Sequence, residues 1–160
     1  MQADGRWLAT ERHAVFVTGG TGYLGTALIP ALLGRGHTVR ALARPGSECS
    51  LPAGIDVVLG DALQAETFAH SIAPADTVVH LVGTPRPSPL KAAQFQAVDL
   101  ASIRATVAAE TRGSVRHLVY VSVAHPSPVM RAYIAVRQEG EALIRASGLP
   151  ATFARRIMTR

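Results

Sequence analysis

Apolar residues along this chain fall into short runs separated by stretches with helical spacing. Ala14-Val-Phe-Val-Thr18 is a compact β-branched run and predicts a first strand. Over residues 23–35 the spacing changes. Leu24, Leu28 and Leu32, with Ala27 and Ala31, recur on one side and predict a helix. Pro30 inside it removes a backbone hydrogen bond and is expected to kink it. Gly34 and Gly36 mark its end. Residues 38–43 and 55–59 predict the second and third strands, and a shorter helix is expected over 63–72. Residues 77–82 are almost continuously apolar, as in a strand buried on both faces. Three prolines within 83–89 force a loop. Beyond it come a long helix over 92–111 and a fifth strand over 115–123. His-Pro-Ser-Pro breaks the pattern within 124–129, a helix follows over 131–146, and Gly148-Leu-Pro150 stops it. A sixth strand is expected over 151–155.

Strands alternating with helices through short connections predict an α/β fold. Its core is a doubly wound parallel sheet of order 3-2-1-4-5-6, with right-handed crossovers and helices on both faces. The ligand crevice of such a sheet lies at the carboxyl ends of strands one and four. The candidate chemistry falls at that crevice. Val15-Phe-Val-Thr-Gly-Gly-Thr-Gly-Tyr-Leu-Gly25 carries the spacing G-x-x-G-x-x-G between a strand and a helix. Gly19 lets the chain turn sharply, Gly22 leaves room for backbone to approach a pyrophosphate, and Gly25 lets the helix pack closely. With Thr21, Tyr23 and Leu24 these residues form the expected phosphate cradle, aimed by the N–H groups and dipole of the helix tip.

The end of strand two selects the cofactor. An acidic residue there binds the ribose of NAD, but this chain offers Arg40 and Arg44, with no Asp or Glu before Glu48. Arginine suits the 2′-phosphate of NADP(H), and Arg44, just past the strand, is the better placed. NAD(H) is the second choice. Asp61 and Ala62 follow strand three and Leu81, Val82 and Gly83 end strand four, both within reach of the adenosine half. Asp61 also reads as an N-cap for the segment that follows it.

Composition narrows this picture. The chain has 160 residues, 48% hydrophobic and 17% charged, as in a globular domain over residues 14–160. Residues 1–13 carry Asp4 and Glu11 without an apolar core and read as a flexible leader rather than a signal peptide. No apolar run approaches the roughly 20 residues that span a bilayer. Cys49 is the only cysteine, which suits a reducing, cytoplasmic setting. The net charge of +5 resides in scattered arginines without a nucleic-acid-binding motif, and a multiply anionic cofactor accounts for it better than nucleic acid does. His13, His37, His70, His80, His117 and His125 lie far apart, so no metal is expected. His80, inside strand four, reads as a hydrogen-bonded core residue.

Thr18-Gly-Gly-Thr-Gly-Tyr-Leu-Gly25, Arg40-Ala-Leu-Ala-Arg44, Gly60-Asp61, Val79-His-Leu-Val82 and Ser147-Gly-Leu-Pro150 together resemble the atypical and extended short-chain dehydrogenase/reductases. The epimerase/dehydratase-like and nitrogen-repression-regulator-like branches are similar, as is the dinucleotide-binding accessory subunit of respiratory complex I. The resemblance implies a serine after strand five, a tyrosine, and a lysine four residues beyond it as the catalytic group. Ser122, Tyr133 and Arg137 occupy those positions, with arginine in place of lysine. Ala124 stands where extended members often carry the catalytic hydroxyl. Arginine still lowers a phenol pKa by charge but presents its donors differently. Arg137 also stands four residues before Glu141, the spacing of an ordinary helix ion pair.

Family members continue beyond the sixth strand into segments that build the substrate pocket, and that part is largely absent here. Two functions therefore stand side by side. One is an NADP-dependent oxidoreductase or epimerase-like enzyme acting on an unknown small molecule. The other is a non-catalytic redox sensor or accessory subunit, with a protein partner or a second copy covering the open edge.

Overall fold

In the computed structural model, which describes residues 11–110, 115–123 and 130–156, a six-stranded sheet runs in the order β3-β2-β1-β4-β5-β6. The strands are β1 (Ala14–Thr18), β2 (Thr38–Ala43), β3 (Asp56–Leu59), β4 (Thr77–His80), β5 (His117–Val123) and β6 (Ala151–Arg156). Every neighbouring pair is parallel, with Val15 opposite both Val39 and Thr77, and Tyr120 opposite Phe153. The expected fold and strand order are those observed. Most of the leader, the end of the long helix at Thr111, residues 124–129 with Ala124, and residues 157–160 lie outside the described residues.

Period-two alternation divides the core between two faces. On one face Phe16, Val78, Leu118 and Tyr120 pack against Phe68, Ile72, Phe95, Ile103 and Ile144. On the other, Val15, Val17, Val39 and Val79 meet Ile29. Each such buried side chain contributes about 1.5–3 kcal/mol relative to exposure. The second face is covered by α1 (Tyr23–Gly34), which runs unbroken through Pro30. The first is covered by the helical run of α2 (Ala92–Gln94), a π-turn (Phe95–Leu100) and α3 (Ala101–Glu110), and by α4 (Arg131–Ser147).

Two elements differ from the sequence pattern. Residues 63–72 form two 3₁₀ turns, Ala65–Thr67 and Ala69–Ser71, rather than one helix. The Thr67 hydroxyl donates to the Gln64 carbonyl at 2.7 Å and accepts the Asp61 N–H at 3.0 Å. These local bonds compete with helix continuation. Phe68 and Ile72, four apart and both buried, produced the helical pattern. The long helix contains the π-turn, whose wider winding carries Asp99 into the interior, 0% exposed.

His80 is buried, with Nδ1 hydrogen-bonded to Thr18 at 2.9 Å and Thr106 at 3.0 Å, as expected of a core histidine. Burial, aided by the Arg137 charge, pushes its imidazole down to about 3. The folded chain thus keeps His80 neutral where the unfolded chain protonates it. Its contribution to stability is complete above about pH 6.5 and is lost as pH falls toward 3, about 2 kcal/mol of it between pH 7 and 5. Glu110 works in the opposite sense. Burial pushes its carboxyl up to about 8, so its contribution is complete below the ordinary carboxylate range and lost as pH rises through 8. The two slopes oppose each other near neutrality. In urea unfolding, His80→Gln is therefore expected to gain about 2 kcal/mol on the wild type as pH is lowered from 7 to 5. Parallel profiles would show that His80 is not the titrating group.

Candidate functional site

β1 ends at Thr18 and the chain turns at once. Gly19 has φ +75°, and a Cβ there would lie 2.8 Å from the backbone of Leu81 and Val82. The turn is therefore seated directly on the exit of β4. The Gly22 N–H donates to the Gly19 carbonyl at 3.1 Å and closes it. A Cβ on Gly25 would collide with the Gly20 carbonyl, so this glycine lets the first turn of α1 rest on the glycine loop itself. At the tip of α1 the N-cap, Gly22, supplies no side-chain hydrogen bond, and the first turn has no acidic residue. That leaves a positive helix end with free N–H groups, the arrangement that binds phosphates.

A cavity of ≈ 370 Å³ opens in front of this tip. Gly19, Thr21 and Gly22 form its floor, and Leu42, Ala43 and Arg44 approach from the end of β2. Gly60, Asp61, Ala62 and Leu63 follow β3, and Leu81, Val82 and Gly83 leave β4. Nine residues singled out from the sequence thus meet in one place: Gly19, Thr21, Gly22, Arg44, Asp61, Ala62, Leu81, Val82 and Gly83. Tyr23, 88% exposed, and Leu24 do not line the cavity, and Gly25 lies buried beneath the loop. Leu42, Ala43, Gly60, Leu63, Pro85 and Val98 also line the cavity and were not anticipated. Leu42 and Ala43 were legible as the last residues of a strand ending at the crevice, whereas Val98 arrives through the π-turn.

The two arginines of β2 differ sharply. Arg40 is engaged, donating to the carbonyls of Ser71 at 2.9 Å and Ala73 at 2.7 Å and facing Asp56 at 3.4 Å. Arg44 is exposed at the cavity rim, and its guanidinium has no partner among the described residues. Asp61 accepts the Leu63 N–H at 2.9 Å, so it caps its own turn while lining the cavity. A larger cavity of ≈ 570 Å³ lies between α1 and the amino ends of the strands, near Leu28, Asp76 and Val119. That is the wrong end of a parallel sheet for its ligand crevice.

Behind Gly83 the structure departs from the expected catalytic arrangement. Arg137, 5% exposed, does not pair with Glu141. It donates to Asp99 at 2.6 Å and to the Val121 carbonyl at 3.0 Å, between the rings of Tyr120 and Tyr133. Burial works against its charge, but Tyr120, Tyr133 and Asp99 favour it more strongly. Asp99 in turn accepts the N–H of Thr84 at 3.0 Å and its hydroxyl at 2.6 Å. A Cβ on Gly83 would come 2.5 Å from Arg137 Nη2, so the guanidinium backs directly onto the cavity wall.

Glu141 is instead gripped by Arg155 at 2.7 Å and Arg145 at 2.8 Å. Burial opposes its charge, yet these hydrogen bonds hold its carboxyl down to about 2. Ser122 lies toward Glu141, whose carboxyl it helps to lower, but its buried Oγ makes no well-formed hydrogen bond. Tyr133 packs edge-on against Phe95 at 5.0 Å. Tyr133 and Arg137 are therefore neighbours, while Ser122 is hydrogen-bonded to neither. Among the described residues no cluster of potential metal ligands occurs, and no helix is long and apolar enough to cross a membrane.

A glycine turn under an uncapped helix tip, opening on a cleft at the carboxyl ends of a doubly wound sheet, defines a dinucleotide-binding α/β domain. The chain belongs to the NAD(P)H-binding family, which matches residues 19–158. It is 29% identical over 143 residues to a ceramide reductase of Caulobacter vibrioides, covering 88% of this chain and 44% of that protein. Over 73 residues it is 38% identical to a 3-beta-hydroxysteroid dehydrogenase of Mycolicibacterium neoaurum, covering 46% of this chain and 20% of the relative. The chain thus spans less than half the length of these curated relatives. Its fold is that of WbmH from Bordetella bronchiseptica, solved with NAD+, at TM-score 0.74 and 20% identity, covering 91% of this chain and 56% of that one. A UDP-galactose 4-epimerase superposes at TM-score 0.75 and 17% identity, covering 89% and 55% of the respective chains.

Proposed function

We propose that this domain binds NADP(H) in preference to NAD(H), as the cofactor-binding part of a short-chain dehydrogenase/reductase-type oxidoreductase. The observation that carries the preference is the free guanidinium of Arg44 at the rim of the ≈ 370 Å³ cavity, where an NAD-selective site needs a carboxylate. The glycines fit the group: the space a Cβ would fill at Gly19 is taken by the backbone of Leu81 and Val82, and a Cβ on Gly22 would crowd the Gly19 carbonyl at 3.3 Å, so the turn lies close beneath the helix tip only with glycine there. In this reading the first-turn N–H groups of Tyr23, Leu24 and Gly25 hold the diphosphate, and Gly22, without a side chain, leaves room for its approach. Arg44 takes the 2′-phosphate, and Asp61, Ala62, Leu81 and Val82 flank the adenosine. The cofactor, when bound, supplies hydride transfer. The lone Cys49 is exposed and suits work in the reducing cytoplasm.

Calorimetric titration tests the assignment. NADPH is expected to bind at least about tenfold more tightly than NADH, the worth of one charge-assisted phosphate contact, and Arg44→Ala is expected to abolish that difference. Equal affinities in the wild type overturn it.

A second reading, a non-catalytic redox sensor or accessory subunit, is favoured by the commitment of Arg137 to Asp99, which removes it from the role a lysine plays beside the tyrosine. Incubating the titrated complex with aldehydes and ketones separates the two readings, because only an enzyme consumes NADPH.

A further inference from the structure

We infer, on the reading that the cleft holds NADP(H), that Asp99 is a positioning residue for the nicotinamide half of the cofactor, acting through Thr84 with Arg137 as its countercharge. Gly83, Pro85 and Val98 line the cavity on the side of β4, and Thr84 lies between the first two, 7% exposed. Adenosine over the ends of β2 and β3 leaves the other half of a dinucleotide to this side of the glycine turn.

This wall has no sheet ladder to hold it. β4 ends at His80, and the Leu81 N–H still donates to the Thr18 carbonyl at 3.0 Å. Past that point, among the described residues, the hydrogen bonds of residues 82–85 are made with side chains. Asp99 Oδ2 accepts both the N–H and the hydroxyl of Thr84, at 3.0 and 2.6 Å, and Lys91 Nζ donates to the Pro85 carbonyl at 2.6 Å. Asp99 follows Val98 in the π-turn, so one stretch of backbone supplies both a piece of the wall and the tether for the rest.

The tether is a carboxylate, and alone it would repel a ligand with several negative charges. Arg137 cancels that charge. Its Nη2 donates to Asp99 Oδ1 at 2.6 Å and its Nη1 to the Val121 carbonyl at 3.0 Å, so the pair is neutral as a unit and anchored to β5. Neither residue lines the cavity, and both act from behind its wall. A Cβ on Gly83 would meet Arg137 Nη2 at 2.5 Å and Asp99 Oδ1 at 3.1 Å. Both side chains are buried, so water competes little for their hydrogen bonds, and bonds to a buried charge hold geometry more firmly than bonds in solvent.

Thr84→Val tests the tether and leaves the ion pair in place. Valine keeps the shape of threonine and the N–H bond to Asp99, and loses only the hydroxyl bond. Calorimetry compares two ligands: NADPH, and adenosine 2′,5′-bisphosphate, which carries the adenosine half and its 2′-phosphate but no nicotinamide. NADPH is expected to bind Thr84→Val about tenfold more weakly than the wild type, the worth of one charge-assisted hydrogen bond, while the bisphosphate binds both proteins equally. Thr84→Ser, which restores the hydroxyl, is expected to bind NADPH as the wild type does. The emission of bound NADPH reports the surroundings of the dihydronicotinamide ring. It is expected to shift toward that of the free nucleotide in Thr84→Val and to stay at the wild-type position in Thr84→Ser. Unchanged NADPH affinity in Thr84→Val overturns the role of Asp99. So does an equal loss for the bisphosphate, the mark of a cleft loosened as a whole. A wild type that binds neither ligand sinks the cofactor reading itself, and that result is read before any variant is made.

Discussion

Arg137→Met is expected to destabilise the domain by about 3–5 kcal/mol, because it leaves Asp99 as a buried carboxylate without its countercharge. Asp99 is 0% exposed and keeps only the two hydrogen bonds from Thr84 once the guanidinium is gone. The Val121 carbonyl loses its donor in the same step. Urea unfolding at constant pH measures the loss. Arg137→Lys is expected to fall between the wild type and the methionine variant, since one ammonium cannot reach both Asp99 and Val121 with the geometry of a guanidinium fork. The double variant Asp99→Leu/Arg137→Met removes both charges and is expected to recover most of the loss, as buried pairs replaced together by apolar residues usually do. A loss below about 1 kcal/mol for Arg137→Met alone is the value for a surface pair, and would show that water reaches the guanidinium.

The same pair marks where sequence stops being informative. Arg137 and Asp99 stand 38 residues apart, and nothing in the local pattern around either one names the other. Helical spacing instead offers Glu141 as the partner, and that residue is claimed from the far side by Arg155 on β6. Asp99 turns inward only because Phe95–Leu100 is wound as a π-turn, a change of pitch that leaves no trace in the hydrophobic period. The 3₁₀ turns at Ala65–Thr67 and Ala69–Ser71 were hidden for a related reason. Phe68 and Ile72 face the core at the spacing a helix would give them, while the Thr67 hydroxyl ties the backbone just before them to Asp61 and Gln64. The sheet was legible because a strand buried on both faces is written continuously in the chain, and the order of strands follows from handedness. The cleft was legible because its parts are consecutive residues at strand ends. Which of Arg40 and Arg44 is free was not legible, since the carbonyls that engage Arg40 come from Ser71 and Ala73, 31 and 33 positions away.

Replacement of Gly19 by alanine is expected to abolish dinucleotide binding while leaving a folded, weakened domain. Two penalties act together there. The backbone sits at φ +75°, which costs a residue with a Cβ about 1–2 kcal/mol. The added methyl would also lie 2.8 Å from main-chain atoms of Leu81 and Val82, which cannot swing aside as a side-chain tip does, and overpacking of this kind costs about 1–3 kcal/mol. The turn relieves that contact by lifting off β4. Doing so moves the tip of α1 away from the cavity floor, so the phosphates lose the N–H groups aimed at them. A loss of roughly 3 kcal/mol in urea unfolding and of at least about a hundredfold in NADPH affinity is expected. Gly34→Ala is the matched control. It lies in the last turn of the same helix, and its Cβ would meet nothing within 4 Å. It is expected to gain up to about 1 kcal/mol with binding unchanged, because alanine is the better helix former. If Gly19→Ala bound NADPH as the wild type does, the diphosphate could not be resting on this turn, and the free helix tip would have to be a feature of the fold without a ligand.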